Sequence, residues 1–413
     1  MFTFLHAADV HLDSPLKNLA LREGAPVDLV RGATRRAFDK LVQLAVDEEV
    51  DFLLLAGDLY DGTWKDYNTG LFFISRMRRL REAGIRVFLV SGNHDAAGKI
   101  TRSLRLPGNV VHFSSRSAQT EQLEELGVAI HGRSYSRPAE SRNLALEYPA
   151  PVPGYFNIGL LHTALSGRPG HEPYAPCSRD DLVHKGYDYW ALGHVHQREE
   201  VQRDPWIVFP GNLQGRHVRE TGPRGAYLVR VDGTVVQEAE FRELDVVRWA
   251  RCSVDCSDCA DLEEVLDRVG AALGRELDQA DGLPLMLRMQ LEGATELHPE
   301  LVRDTRHLQG EIEALALDSG DIWLERLRLR TALPRESNAA GLAGTPLEGF
   351  LQGRIKDNEG LFDAPSLQAL EARLPPELLG DEPLVPGEPE ERHRLLSEVR
   401  DMVLAAILHQ VKQ

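Results

Sequence analysis

Cysteine is scarce in this sequence. Four among 413 residues, Cys177, Cys252, Cys256 and Cys259, cannot staple a chain of this length, which excludes a disulfide framework and suits a reducing compartment. Long apolar runs are missing as well. Nowhere do about 18 consecutive apolar residues occur without a charge, so no transmembrane helix is expected. The amino terminus, MFTFLHAADVHLDSP, has no basic leader and meets Asp9 and His11 before any apolar stretch reaches signal length, so neither a secretory signal nor a membrane association is expected and the protein reads as cytoplasmic. Positive charge is in deficit: 47 Lys and Arg face 64 Asp and Glu, a net charge of −17. That disfavours nonspecific wrapping of nucleic acid by this chain alone. It leaves phosphodiester chemistry open, because divalent cations in a cleft would be the largest local charges.

What is present is an ordinary globular composition, 42% hydrophobic and 27% charged, on a chain too long for one average domain. Short apolar runs alternate with amphipathic stretches from residue 1 to about 245. Phe2–Ala7, Phe52–Ala56 and Val87–Val90 read as strands, and Gly32–Glu49 and Asp66–Ala83 as helices. Later strands are expected at Phe156–Leu161, Tyr189–Leu192, Ile207–Phe209, Ala226–Val231 and Val235–Phe241. This pattern predicts a layered α/β domain with mixed sheets. Residues 246–331 read as a separate small α/β unit, with a helix at Leu262–Leu277 and another from Pro299 to about Leu315. Residues 332–413 turn rich in Pro, Gly and acidic residues and end in an amphipathic helix over Glu390–Val411.

The spacing C-x3-C-x2-C at Cys252, Cys256 and Cys259 is one used by iron–sulfur sites, but no fourth ligand is near, so three incidental thiols are the expected reading. Leu71, Ile74, Met77 and Leu80 on the second helix form a stripe that serves either as core or as a dimer face.

Five apolar runs each end in a polar cluster. They are Asp9 with His11, Asp58, Asn93-His94-Asp95, His162, and His194 with His196. Carboxyl ends of strands in open α/β sheets face one crevice, so these groups are expected to converge. Asp9/His11 and His194/His196, each two apart, would point to one side if the backbone there were extended. His112 and His131 read as ordinary hydrogen-bonded residues, and Asp13 and Asp61 as turn caps or supports. His, Asp and Asn without Cys suit manganese, iron, zinc or cobalt, and seven candidate ligands exceed the four of one tetrahedral ion. Two divalent ions outweigh the charge of Asp9 and Asp58, and the surplus favours an anionic substrate.

The ordered set D-x-H, GD, GNHD, H and GHVH resembles the calcineurin-like metallophosphoesterase superfamily. Within it, ADVHLDSP, AGDLYD, SGNHD and YDYWALGHVHQ are similar to the SbcD-type bacterial DNA repair exonucleases, while FPGNLQGRHVRETG points to a subgroup distinct from SbcD itself. The resemblance implies a four-layer α/β/β/α sandwich over 1–245, a capping domain over 246–331 and a partner-binding tail over 332–413. It implies that Asp9, His11, Asp58 and His196 bind one ion and Asp58, Asn93, His162 and His194 the other, with manganese expected. It further implies that His94 contacts the scissile phosphate, that Asp95 orients His94 or a ligand, that the substrate is DNA, and that a homodimer works with an SMC-like (SbcC-type) ATPase. A small-molecule phosphoesterase or an assembly subunit with vestigial activity is the alternative.

Overall fold

A computed structural model describes residues 1–14, 32–61, 67–97, 105–166 and 174–334, with scattered positions beyond. The chain divides between Arg248 and Trp249 into two compact units.

The first unit is built on two six-stranded sheets. β1 (Phe2–Ala7), β2 (Phe52–Ala56), β3 (Arg86–Val90) and β4 (Val110–His112) run parallel, and β11 (Gly225–Asp232) and β12 (Val235–Glu243) extend that sheet antiparallel from β1. The second sheet has the order β5-β6-β7-β8-β10-β9, from β5 (Gln119–Leu123), β6 (Val128–Gly132), β7 (Phe156–His162), β8 (Tyr189–Gly193), β9 (Glu199–Arg203) and β10 (Trp206–Phe209).

Side-chain alternation along the strands sorts the layers. In β1, Phe2 and Phe4 face the second sheet, where Phe4 stacks on Phe52 at 5.1 Å and meets Tyr189 edge-on at 5.2 Å. Leu5 and Ala7 face the other way, against Phe38 and Leu41 of α1 (Ala33–Asp47) and Phe73 and Met77 of α2 (Tyr67–Glu82). The outer face of the second sheet buries Trp190, Leu192 and Ile207 under Leu144 and under Leu182 of α4 (Arg179–His184); α3 is the short Asn93–Ala97. Helices, sheet, sheet and helices therefore succeed one another, which is the mixed α/β architecture expected. Met77 and Leu80 are buried in the core against the first sheet, Ile74 is buried and Leu71 is exposed, so three members of that stripe are shielded from solvent.

The second unit packs α5 (Leu262–Gln279), α6 (His298–Arg303) and α7 (Thr305–Ser319) with a three-stranded sheet, β13 (Arg248–Asp255), β14 (Leu285–Ala294) and β15 (Ile322–Ala332) in that order. The single helix expected from Pro299 is two, because Asp304 leaves helical geometry and its carboxylate accepts a bond from the His307 amide at 3.0 Å, starting a new helix. Cys252, Cys256 and Cys259 lie in this unit's apolar core, and burial raises the Cys252 and Cys256 thiols to about 11. Among the described residues no metal-type cluster includes a cysteine. The Glu390–Val411 helix lies, apart from isolated positions, outside the described residues. No helix among those residues is long and apolar enough to cross a membrane.

Candidate active site

All five polar clusters meet at one edge of the first unit, where β1, β2, β3, β7 and β8 end. The loops after β1 and β2 are laced together: Asp9 N donates to Gly57 O at 3.1 Å, and His11 N donates to Asp58 O at 3.0 Å. The backbone there is not extended as the spacing argument supposed. Asp9, His11 and Asp58 hold φ of +48°, +46° and +48°, and His194 holds +102°. Non-glycine residues in that region carry strain of about 1–3 kcal/mol each, which collects at functional sites. Tight turns, not strand alternation, aim these side chains inward. Glycine is required beside them: a Cβ on Gly57 would lie 2.4 Å from His162 Nδ1, and one on Gly193 would lie 2.0 Å from Ala56 O.

Asp58 is central. Its Oδ1 accepts from the His94 amide at 2.9 Å, while Oδ2 lies 3.5 Å from His162 Nε2 and 4.0 Å from His11 Nε2. His162 Nδ1 donates to Ala56 O at 2.9 Å, so Nε2 is the nitrogen turned to the site, with Asn93 Oδ1 at 3.0 Å beside it. Asn93 Oδ1 also lies 3.2 Å from His194 Nδ1. Asp9 receives the His194 amide on both oxygens, at 3.1 and 3.0 Å. His11 and His196 bring their Nε2 atoms within 3.3 Å, and His11 Nδ1 is buried without a partner.

Two residues that the sequence did not single out complete the site. Glu220 is buried and stands 2.7 Å from His196 Nδ1, so that nitrogen carries the proton and Nε2 faces inward. Asn212 Nδ2 at 2.8 Å and the Arg216 amide at 2.7 Å hold the same carboxylate. Burial opposes its charge, yet Arg216 and His196 outweigh that and keep its pKa well below the usual range. Arg216 sits against both partners, 3.2 Å from each. The segment FPGNLQGRHVRETG supplies Asn212, Arg216 and Glu220, but nothing in its spacing announces a carboxylate aimed at a histidine 24 residues upstream.

Asp95 is buried behind the loops. It accepts the amides of Gly92, Leu59 and Tyr60 at 3.0, 3.2 and 3.0 Å and so shapes the two loops. Asp61 takes the role expected of it, lying 2.8 Å from His94 Nδ1 and accepting from Ser14 Oγ at 2.7 Å. Its hydrogen bond is the main reason that the His94 pKa is raised. Asp13 instead binds Arg35 through both oxygens, at 2.6 and 2.5 Å. His131 is buried between Thr120 and Asn157, and His112 bonds Ser91 at 2.9 Å; neither belongs to the site.

The donors fit divalent cations. Three sets, Asp9-His11-His196, His11-Asp58-His94 and Asp9-Asp58-His162, each gather ligand atoms within 4.8 Å. Imidazole lone pairs and carboxylate oxygens that face one another repel unless positive charge lies among them. The electrostatics say the same. Burial pushes Asp9 up to about 7, and although burial works against a charge on His162, Asp58 above all raises that imidazole to about 9. The field that draws a proton to His162 draws a cation equally.

Comparison with known proteins gives this geometry its setting. The calcineurin-like phosphoesterase family model matches residues 2–198, and the model for the middle domain of metallophosphoesterase YhaO matches residues 249–332. The chain is 35% identical over 362 residues to the uncharacterized metallophosphoesterase YhaO of Bacillus subtilis, with 86% of each chain covered. It is 28% identical to the DNA double-strand break repair protein Mre11 of Methanopyrus kandleri, over 60% of this chain and 57% of that one. With the protein of the same name from Sulfurisphaera tokodaii it shares 30% identity, over 56% of this chain and 60% of that one. On the length of the match to the Bacillus protein, as much as on the donors gathered where the strands end, this chain belongs to the calcineurin-like metallophosphoesterases, phosphoester hydrolases that bind two divalent metal ions.

Proposed function

We propose that this chain is a manganese-dependent DNA nuclease of the cytoplasm that hydrolyses phosphodiester bonds in DNA repair. The observation that carries the reading is the coincidence of a complete donor set with similarity, over more than half the chain, to two proteins named for DNA double-strand break repair.

In this reading Asp9, His11, Asp58 and His196 hold one ion and Asp58, Asn93, His162 and His194 the other. Divalent ions bound there would activate water and neutralise charge on the phosphate. Imidazole and carboxylate donors without thiolate suit manganese, iron, zinc or cobalt, and manganese is the ion taken here from the resemblance to the SbcD-type nucleases. His94 is paired through Nδ1 to Asp61, which leaves Nε2 to face the substrate. In its protonated form, which Asp61 favours, His94 donates to a phosphate oxygen and to the departing alkoxide. Glu220 fixes the ring of His196. The segment at Glu390–Val411 serves in this account as a binding helix for the coiled coil of an SMC-like ATPase.

Gel-resolved digestion of end-labelled single- and double-stranded DNA, run beside a phosphodiester dye and a phosphomonoester, tests the substrate. Manganese-dependent shortening of DNA is expected. Hydrolysis of the dye with both DNA forms intact would transfer the reading to small phosphoesters, and no hydrolysis at all would leave an assembly subunit.

A further inference from the structure

The helices α1 and α2 depart from the charge balance of the chain. With −17 overall, α1 carries three basic against two acidic residues and α2 four against one, a net of +4 on two neighbouring helices. Between them lies an open groove of about 570 Å³ whose cations are Arg36, Lys40, Arg76 and Arg79 and whose one acid is Asp39. Arg36 and Lys40 are one turn apart on α1, as Arg76 and Arg79 nearly are on α2, so the charges form two facing rows.

The two helices begin near the catalytic edge. Arg35, in the first turn of α1, grips Asp13 through both oxygens, and Thr69, in the first turn of α2, donates to the same carboxylate. Asp13 follows His11 by two residues, so the helix starts are pinned beside the site and the rows run away from it. The side chains are held in place. Arg76 lies 4.1 Å over the Phe72 ring and binds Asp39 at 2.5 and 3.0 Å, and Arg79 bonds Gln43. A second copy of the chain related by a two-fold axis would set like charges against each other here, which disfavours a homodimer through this face.

We infer that the α1–α2 groove is a binding track for the phosphate backbone of nucleic acid, leading to or from the hydrolytic site. The track rests on the DNA reading proposed above. Its contacts are charge-based and sequence-independent, and they supply locally the cations that the chain lacks overall.

Arg36→Gln combined with Arg79→Gln tests it in the full-length protein. DNA binding is followed by fluorescence anisotropy in EDTA over a salt series, and turnover of a phosphodiester dye in manganese reports that the fold and hydrolytic centre are intact. Dye turnover should match the parent, DNA affinity should fall roughly ten-fold, and the slope of log affinity against log salt should become shallower by about 2, since each phosphate contact contributes about 0.9. The paired Lys substitutions should restore most of the slope. Affinity and slope equal to the parent's overturn the track, as does a change in oligomeric state on sedimentation with DNA affinity unaltered. Should the parent bind DNA without cutting it, the nuclease reading fails and the slope comparison still decides the track; a parent that binds no DNA overturns both.

Discussion

Glu220 Oε1 lies 2.7 Å from His196 Nδ1 and fixes which nitrogen of that ring faces the catalytic centre. Removing the carboxylate frees the ring to turn and takes from Arg216 and Asn212 an acceptor that they share. Glu220→Ala should weaken manganese binding by about 10–100-fold, the usual effect of losing such a supporting partner. Glu220→Gln, whose amide oxygen still accepts, should fall in between. Isothermal titration measures this directly, and an unchanged affinity for both ions in Glu220→Ala would remove Glu220 from the metal centre.

Asp61 and His94 form the second pair to test. His94→Ala should lower kcat by about 10²–10⁴-fold with metal content unaltered, since that range is typical for a positioned acid. Asp61→Asn keeps the shape but removes the charge that raises the His94 pKa. It should reduce kcat less, move the alkaline limb of the rate profile to lower pH because His94 then loses its proton more easily, and leave KM nearly constant. Equal rates in His94→Ala and the parent would take that histidine out of the reaction.

Stability without metal should depend on pH in a particular direction. The folded state raises His162 from 6.5 to about 9, chiefly because Asp58 outweighs the burial that opposes it. A proton held more tightly when folded stabilises the fold below pH 6.5, and that contribution is lost as pH rises through about 9. Asp9, raised to about 7 by burial, acts in the same direction. Asp58, held low, changes only in strong acid. In EDTA the Tm should therefore fall between pH 6.5 and 9, and the increase in Tm given by manganese should grow over the same interval. A metal increment independent of pH would contradict the coupling.

The cysteines of the second unit give a contrast. Cys252→Ser places a hydroxyl in an apolar core and should cost about 1–3 kcal/mol by urea denaturation without affecting manganese binding. Loss of a metal or of a visible chromophore in that variant would revive the cluster reading.

Much of the first unit was legible because its parallel strands are buried on both faces and read as unbroken apolar runs. Phe52–Ala56 agrees at both ends. Gln119–Leu123 and Glu199–Arg203 were not legible, since each is a polar strand at a sheet edge where exposure erases the hydrophobic signal. The donors could be picked out because each ends an apolar run. Their orientation could not, as it comes from left-handed turns at Asp9, His11 and Asp58 that no side-chain period encodes. The supports were divided: Asp61 follows its motif closely, whereas Glu220 reaches His196 only through the folding of the Asn212–Glu220 loop, and Asp95 braces the backbone amides of the two neighbouring loops.

The central claim is that one carboxylate, Asp58, is shared by both metal positions. Manganese content after reconstitution, measured by plasma mass spectrometry on the parent and on Asp58→Asn, tests it most directly. The account predicts about two ions per chain in the parent, as the family requires, and near-complete loss of both in the variant, because a neutral amide cannot replace the bridging charge. Two ions retained in Asp58→Asn would contradict it.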